Sequence, residues 1–342
     1  MTKHDAAAEQ YTATEHVAAV EHGAAAIVRP STLAWVRRQL AADEQIIGIE
    51  ALHGGITAEI RKLAISTPDG GTRALVLRSY VDPYYLALAE ESLTGEANTL
   101  TELGATDVPT PKLVAVDATA EHCEYPSLLM THLPGRTALA DDGLEARVPA
   151  LARQLVAIHA LRPAERPRQY VTLSTPDTAV VPQGADEASW AAAIEAIRRP
   201  APSSEGCFLH RDFQPGNVLF AALPSGAASA QITGVVDWAA TCWGPADLDV
   251  AHCSTNLALI HGPEWSQRFA TAYEEAGGTL TAAEDERLYW FTRHALAFSE
   301  EVDVISGAWR KAGRADLTTR AVELRLDAYV RLLMRDGVMA RG

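Results

Sequence analysis

The segment that decides how this sequence is interpreted runs from Phe208 to Phe220 and reads FLHRDFQPGNVLF. His210, Asp212 and Asn217 give it the pattern H-x-D-x-x-x-x-N, and the apolar run that follows predicts a short β-strand. The dipeptide Pro215-Gly216 predicts a turn that lets the side chains of Asp212 and Asn217 face one site. The segment therefore predicts a polar site built on a turn and a strand.

A second aspartate, Asp237, ends the apolar run from Ile232 to Val236. Phosphoryl transfer needs a carboxylate to orient the attacking hydroxyl and accept its proton, oxygen ligands for Mg²⁺, and a cation beside the phosphates. Asp212 is the candidate base, in a loop held by His210, and Asn217 and Asp237 are the candidate metal ligands. The sequence predicts that these oxygen-bearing side chains converge around one divalent ion.

Two further aspartates follow the dipeptide Gly244-Pro245. We expect Asp249 to brace the catalytic loop or to cap a helix rather than to contact substrate. We expect Asp247 to lie at the surface or to cap the same helix.

Together these motifs resemble the aminoglycoside phosphotransferase and choline kinase branch of the protein-kinase-like fold, over roughly residues 46 to 300. The resemblance implies an α+β, bilobal protein-kinase-like fold. It divides the chain into an N-terminal helical extension at 1–45, a small antiparallel β-rich N-lobe at 46–133 that binds nucleotide, and a larger helical C-lobe at 134–342. Such a plan predicts a ligand cleft between the lobes.

The resemblance also assigns nucleotide contacts in the N-lobe. Gly54, Gly55 and Thr57 stand where the family has its phosphate-covering hairpin, because glycines let backbone amides approach phosphate oxygens. Arg78 occupies the place at which protein kinases have a lysine, and Glu96 in the next helix is its expected partner. Arginine keeps the charge but has a planar head, so the contact it makes is left open.

The run Leu128 to Leu133 resembles the hinge whose backbone holds the adenine edge, with Met130, Thr131 and Leu133 as the expected contacts. Backbone recognition leaves the nucleotide open, so the expected cofactors are ATP or GTP, with Mg²⁺.

Apolar runs separated by turn residues predict strands at 46–52, 58–66, 74–79, 113–117 and 127–131, with a helix at 84–104. Beyond the hinge, the pattern predicts a helical chain with a loop at 162–184, and its helices span residues 144–161, 186–198, 248–260, 264–276, 281–311 and 314–336. The acidic and aromatic candidates for substrate binding are Trp243, Asn256, Glu264, Trp290, His294, Glu300, Glu301 and Asp303.

Composition limits the partners. The 342 residues carry a formal net charge of −15 and no basic run, which argues against nucleic-acid binding and is compatible with a cationic substrate. No apolar stretch approaches the length of a membrane span, and residues 1–10 lack a signal core. We expect a cytoplasmic protein with four reduced cysteines that binds neither membrane nor nucleic acid.

These features predict a Mg-dependent small-molecule kinase that transfers the nucleotide γ-phosphate to a substrate hydroxyl. Its acceptor is either an antibiotic, such as an aminoglycoside or macrolide, or a metabolite such as choline, a sugar or homoserine. A catalytically silent pseudokinase is the alternative of another class, favoured only by Arg78 at the lysine position. A zinc hydrolase is disfavoured, because His210 and Asp212 lack a further histidine cluster.

Overall fold

The structure is a computed structural model that describes residues 27–52, 58–172, 174–222 and 229–339. The described chain divides into two compact units. The first, here the β-rich unit, comprises residues 27–135 and Thr233–Ala240, and the second, the helical unit, comprises Arg136–Ile232 and the residues from Thr241 onward. The chain changes unit after Gly135, close to the boundary expected at residue 133. Most of the expected N-terminal extension lies outside the described residues.

The β-rich unit contains a five-stranded antiparallel sheet with the strand order β1-β2-β3-β5-β4. Its strands are β1 Gln45–Leu52, β2 Glu59–Ser66, β3 Thr72–Ser79, β4 Leu113–Asp117 and β5 Ser127–Thr131. Helix α1 (Pro30–Arg37) precedes the sheet, and helix α2 (Pro83–Leu103) connects β3 to β4. The side chain of Asp82 caps α2 by accepting a hydrogen bond from the Tyr84 amide at 2.8 Å.

Alternation of apolar side chains along the strands builds the core of this unit. Leu63, Leu75 and Leu129 are fully buried on neighbouring strands, and Trp35 and Val36 of α1 pack on the same cluster. Helix α1 begins with Pro30, because proline is well suited to the first helical position, where no amide hydrogen is needed.

The helical unit consists mainly of seven helices in its described residues. They are α3 Leu144–His159, α4 Glu187–Ala196, α5 Asp247–His261, α6 Glu264–Glu275, α7 Glu284–Ser299, α8 Val302–Lys311 and α9 Thr319–Met339. Helix α5 is buried around nearly its whole circumference, as expected for a central helix. The short strands are β6 Cys207–Leu209, β7 Val218–Phe220, β8 Ile232–Val235, where the chain passes back to the β-rich unit, and β9 Cys242–Gly244.

The structure departs from the sequence-based expectation at two places. The single helix predicted at 281–311 is wrong, since α7 ends at Ser299 and α8 begins at Val302. The Ser299 hydroxyl donates to the Leu296 carbonyl at 2.6 Å and accepts from the Val180 amide at 2.9 Å, so a loop amide is anchored where α7 ends. The strands β6 and β9, which pair antiparallel, were not predicted from the sequence.

Among the described helices, none combines the length and the apolar character that crossing a bilayer would require.

Candidate active site

The loop after β6 is anchored by hydrogen bonds to a buried carboxylate on α5. Asp249 is fully buried, and its two oxygens accept the backbone amides of His210 and Arg211, each at 2.8 Å. His159 of α3 approaches the same carboxylate at 3.2 Å. Burial opposes ionisation of Asp249, but the His159 contact and neighbouring cations hold its pKa below the usual value. Asp249 therefore braces the loop as a charged group, as the sequence predicts.

This brace fixes an unusual backbone conformation. Arg211 has a φ of 73°, in the left-handed region that residues other than glycine rarely adopt. Non-glycine residues in that region persist where the surrounding structure over-determines them, and such residues cluster at functional sites. Arg211 immediately precedes Asp212, so its backbone conformation sets the direction in which the Asp212 side chain projects from the loop.

The Asp212 carboxylate has donors on both of its oxygens. The Gln214 side-chain amide donates to Oδ1 at 3.0 Å, and the Asn217 side-chain amide donates to Oδ2 at 2.7 Å and to the Asp212 carbonyl at 2.9 Å. The His210 Nδ1 accepts the Asp212 backbone amide at 3.2 Å. The 3₁₀ turn Pro215–Asn217 returns the chain so that Asn217 faces Asp212, as its turn residues predict.

A histidine pair continues from Asp212 into the helical core. His252 of α5 places Nε2 2.9 Å from Asp212 Oδ1, and its Nδ1 lies 2.7 Å from Nε2 of His294 on α7. Burial would raise the pKa of Asp212, but the contact with His252 and the charges of His252 and His210 hold it below its usual value. Asp212 is therefore ionised and able to accept a proton.

The β-rich unit contains a second polar cluster, centred on Arg78. A single atom, Nη1, donates to Glu96 Oε2 at 2.9 Å and Oε1 at 3.1 Å, and to Asp237 Oδ1 at 3.0 Å. Burial disfavours the charge of Arg78, but the charges of Asp237 and Glu96 outweigh it and raise the guanidinium pKa well above its usual value. The expected Arg78–Glu96 pair is present, and it extends to Asp237.

Asp237 also adopts a left-handed backbone conformation, with a φ of 67°. Aspartate tolerates this region better than most residues, and here it follows β8, where the Val235 amide donates to the Pro109 carbonyl at 2.7 Å. The Asp237 side chain is 39% exposed although its Oδ1 contacts buried Arg78. One face of the carboxylate is therefore accessible to a ligand.

The expected hinge residues lie at the end of β5. The amides of Thr131 and His132 are occupied, since they donate to the carbonyls of Lys112 at 2.9 Å and Ala74 at 3.1 Å. Met130 pairs with strands on both of its sides. Within the described residues, Leu133 is the first position after the strand whose amide has no backbone partner. Gly54, Gly55 and Thr57 lie outside the described residues.

Three of the four acidic candidates for substrate binding, Glu300, Glu301 and Asp303, lie where α7 meets α8, whereas Glu264 begins α6. Glu301 is mostly buried, and burial together with the charges of Glu300 and Asp212 raises its pKa to about 7. Burial raises the pKa of Glu300 as well, although its contact with Thr178 opposes this. The Glu301 carboxylate therefore lies close enough to Asp212 to sense its charge.

Three of the remaining expectations need correction or closer definition. Asp247 is neither at the surface nor a helix cap, because it is 2% exposed and accepts the amide and the hydroxyl of Thr281. Trp290 is fully buried and belongs to the core. His294 is buried against His252 rather than open to a substrate.

Sequence reasoning missed Gln214, His159 and His252 as members of the site. The signal for His252 was its position three residues after Asp249 on one helix, which places both side chains on the same face of α5. The signals for His159 and His294 arise only from tertiary packing.

Comparison with known proteins identifies the fold and the family. The model of the phosphotransferase enzyme family matches residues 49–291. A putative aminoglycoside phosphotransferase from Ralstonia eutropha JMP134 is 16% identical with a TM-score of 0.55, over 88% of this chain and 97% of that chain. A thermostable mutant of APH(4)-Ia, in ternary complex with AMP-PNP and hygromycin B, is 17% identical with a TM-score of 0.53, over 89% of this chain and 98% of that one.

The GDP complex of aminoglycoside 2'-phosphotransferase-IIIa is 15% identical with a TM-score of 0.56, over 88% of this chain and 97% of that one. No curated protein matches the sequence. The similarity to the solved structures confirms the predicted fold, with its antiparallel β-rich part and its helical part. Because the matching family model spans most of the sequence, including Asp212, Asn217 and Asp237, this chain belongs to the phosphotransferase enzyme family.

Proposed function

We propose that this protein is a Mg²⁺- and nucleotide-dependent kinase that transfers the γ-phosphate of ATP or GTP to a hydroxyl group of a small molecule. The observation that carries the proposal is the Asp212 carboxylate, ionised and held by Gln214, Asn217 and His252 in a loop braced by Asp249. A carboxylate fixed in this way can orient a hydroxyl nucleophile and accept its proton.

The Oδ2 atom of Asp212 is the proposed proton acceptor. Within the described residues it receives one hydrogen bond, from Asn217, whereas Oδ1 contacts both Gln214 and His252. The substrate hydroxyl donates its proton to Oδ2 as its oxygen bonds to the γ-phosphorus. The bond from phosphorus to the bridging oxygen then breaks, and the nucleoside diphosphate leaves with that electron pair.

Asn217 and Asp237 are the proposed ligands for Mg²⁺, which, when bound, neutralises charge on the transferring phosphate. The donor set fits this ion, because Mg²⁺ prefers carboxylate and amide oxygens. The Asn217 amide nitrogen is committed to Asp212, which leaves its side-chain oxygen as the ligand atom. The partly exposed carboxylate of Asp237 supplies the second oxygen.

The β-rich unit is the proposed nucleotide-binding domain. Arg78, anchored by Glu96, is a fixed cation for the phosphates, and the Leu133 amide is the proposed donor to the base, next to Met130 and Thr131. We retain Gly54, Gly55 and Thr57 as the proposed phosphate cover. The relatives bind AMP-PNP in one case and GDP in the other, which supports a nucleotide without choosing between ATP and GTP.

The helical unit is the proposed acceptor domain, and the acceptor is a cation. Glu301 lies near the base, and a positively charged amine would offset both the burial and the repulsion from Glu300 and Asp212 that raise its pKa. The related APH(4)-Ia mutant is complexed with hygromycin B, which favours an aminoglycoside over a neutral metabolite. We place the reaction in the cytoplasm, where free cysteines such as the four described here stay reduced.

The structure gives no support to a catalytically silent alternative. The Arg78 atom that contacts Glu96 also contacts Asp237, so the arginine supplies a cation between the two carboxylates, as a lysine at this position would.

Transfer of labelled phosphate from ATP and from GTP to a panel of aminoglycosides, choline, sugars and homoserine tests the function. We expect Mg²⁺-dependent labelling of at least one cationic acceptor by the wild-type protein and by the exposed-site control Asp107→Asn, and labelling that is slower by about 10²-fold or more with Asp212→Asn. An absence of labelled acceptor across the panel with the wild-type protein, or equal labelling by Asp212→Asn, would defeat the proposal.

A further inference from the structure

Besides Asp249, a second side chain on α5 contacts the catalytic loop: His252, which contacts the carboxylate of Asp212. We propose that His252 and His294 form a two-histidine strut that positions the Asp212 carboxylate for proton abstraction. This proposal rests on the proposed kinase function, and it assigns to His252 the role of a positioning residue that acts through Asp212.

Two consecutive contacts connect the proposed base, Asp212, through His252 to the buried His294. Asp212 Oδ1 and His252 Nε2 are 2.9 Å apart in an ion-pair contact, and His252 Nδ1 and His294 Nε2 are 2.7 Å apart. The Nε2 atom of His252 is buried, has no hydrogen-bond partner in the described part of the chain, and lies in ion-pair contact with the Asp212 carboxylate. The two rings also pack edge to face, and both contact Phe298.

The proton positions follow from these contacts. A bare imidazole lone pair 2.9 Å from an ionised carboxylate oxygen would be repelled, so Nε2 of His252 carries a proton. Burial lowers the pKa of His294 well below its usual value, with help from the charges of His252 and Arg211, so His294 is neutral. A neutral His294 either donates to Nδ1 of His252 or accepts from it, and either arrangement leaves Nε2 of His252 protonated beside Asp212.

The strut has a consequence for the chemistry. His252 on α5 and Gln214 in the loop both contact Oδ1 of Asp212, and these two contacts restrict rotation of the carboxylate about its terminal bond. The other oxygen, Oδ2, then faces the substrate hydroxyl. Catalytic bases oriented by a further group are a general arrangement in enzymes, because small misplacements of the reacting atoms are costly in rate.

Steady-state kinetics of His252→Ala, His252→Gln and His294→Ala test the strut, with His261→Gln on the same helix as a buried-histidine control. We expect His252→Ala to lower kcat roughly 10- to 100-fold, the range for losing a favourable contact with a charged group, with KM values for nucleotide and acceptor little changed. Glutamine places an amide near the position of Nε2, so His252→Gln should recover most of kcat. The effect of His294→Ala should disappear in the His252→Gln background.

Nitrogen-15 NMR of the histidine rings gives a readout that does not depend on turnover. We expect the Nε2 resonance of His252 to shift on Asp212→Asn substitution, while the resonances of His261 stay in place. The proposal is overturned if His252→Ala retains the wild-type kcat, if His252→Gln is as slow as His252→Ala, or if the Nε2 resonance of His252 does not shift on Asp212→Asn substitution. A wild-type protein that transfers no phosphate would refute the proposed function alone, and the resonance would still decide the strut.

Discussion

Glu301 offers a quantitative test of the electrostatics around Asp212. It lies between α7 and α8, where burial and the charges of Glu300 and Asp212 raise its pKa from 4.5 to about 7. The folded state thus binds the proton more tightly than the unfolded chain does. The stabilisation is complete below pH 4.5 and is lost as the pH rises through about 7.

The magnitude follows from that shift. A difference of about 2.5 pKa units corresponds to about 3 kcal/mol of unfolding free energy lost at high pH, at 1.36 kcal/mol per unit. Glutamine resembles the protonated carboxyl and does not titrate. Glu301→Gln should therefore be about 3 kcal/mol more stable than the wild type at about pH 8.5, and within about 1 kcal/mol of it at about pH 5.

Urea denaturation at both pH values measures this difference. Glu102→Gln, at an exposed position on α2, serves as the control and should change stability equally little at each pH. If Glu301→Gln has the same effect on stability at both pH values, the carboxylate is not held in the environment described, and the inferred crowding of acids beside Asp212 is wrong.

Three further results are expected. Arg78→Met should cost about 3–5 kcal/mol of stability, because it leaves Glu96 buried without its cation. Arg78→Lys should cost less, because a single atom of Arg78 makes all of the contacts with the carboxylates. Equal losses of stability for the two variants in urea denaturation would contradict this. Asp249→Asn should destabilise the protein by about 1–3 kcal/mol, because one amide of the loop then faces an NH₂ group; an unchanged urea midpoint would count against the brace. A cationic acceptor should lower the pKa of Glu301 and release protons on binding near pH 7; calorimetric enthalpies identical in buffers of different ionisation enthalpy would rule this out.

Local features of the site were predictable from the sequence. The spacing from Asp212 to Asn217, with a Pro-Gly turn between them, is short enough for turn chemistry alone to bring the side chains together, and the structure shows a 2.7 Å contact. Alternating apolar residues similarly predicted the strands of the β-rich unit, because a half-buried strand has a period of two.

The features that were missed depend on contacts distant in sequence. His252 and His294 come from different helices and meet only because α5 and α7 pack together. The break between α7 and α8 was hidden as well, since Ser299 ends α7 partly through a bond to the Val180 amide of a distant loop. Periodicity describes one element at a time and carries no information about such partners.

The rate of acceptor phosphorylation by Asp212→Asn at saturating nucleotide is the most direct test of the central claim. Loss of a general base typically costs about 10²- to 10⁴-fold in rate, so we expect a loss in that range with nucleotide affinity preserved. A variant that transfers phosphate within about tenfold of the wild-type rate would show that Asp212 is not the catalytic base.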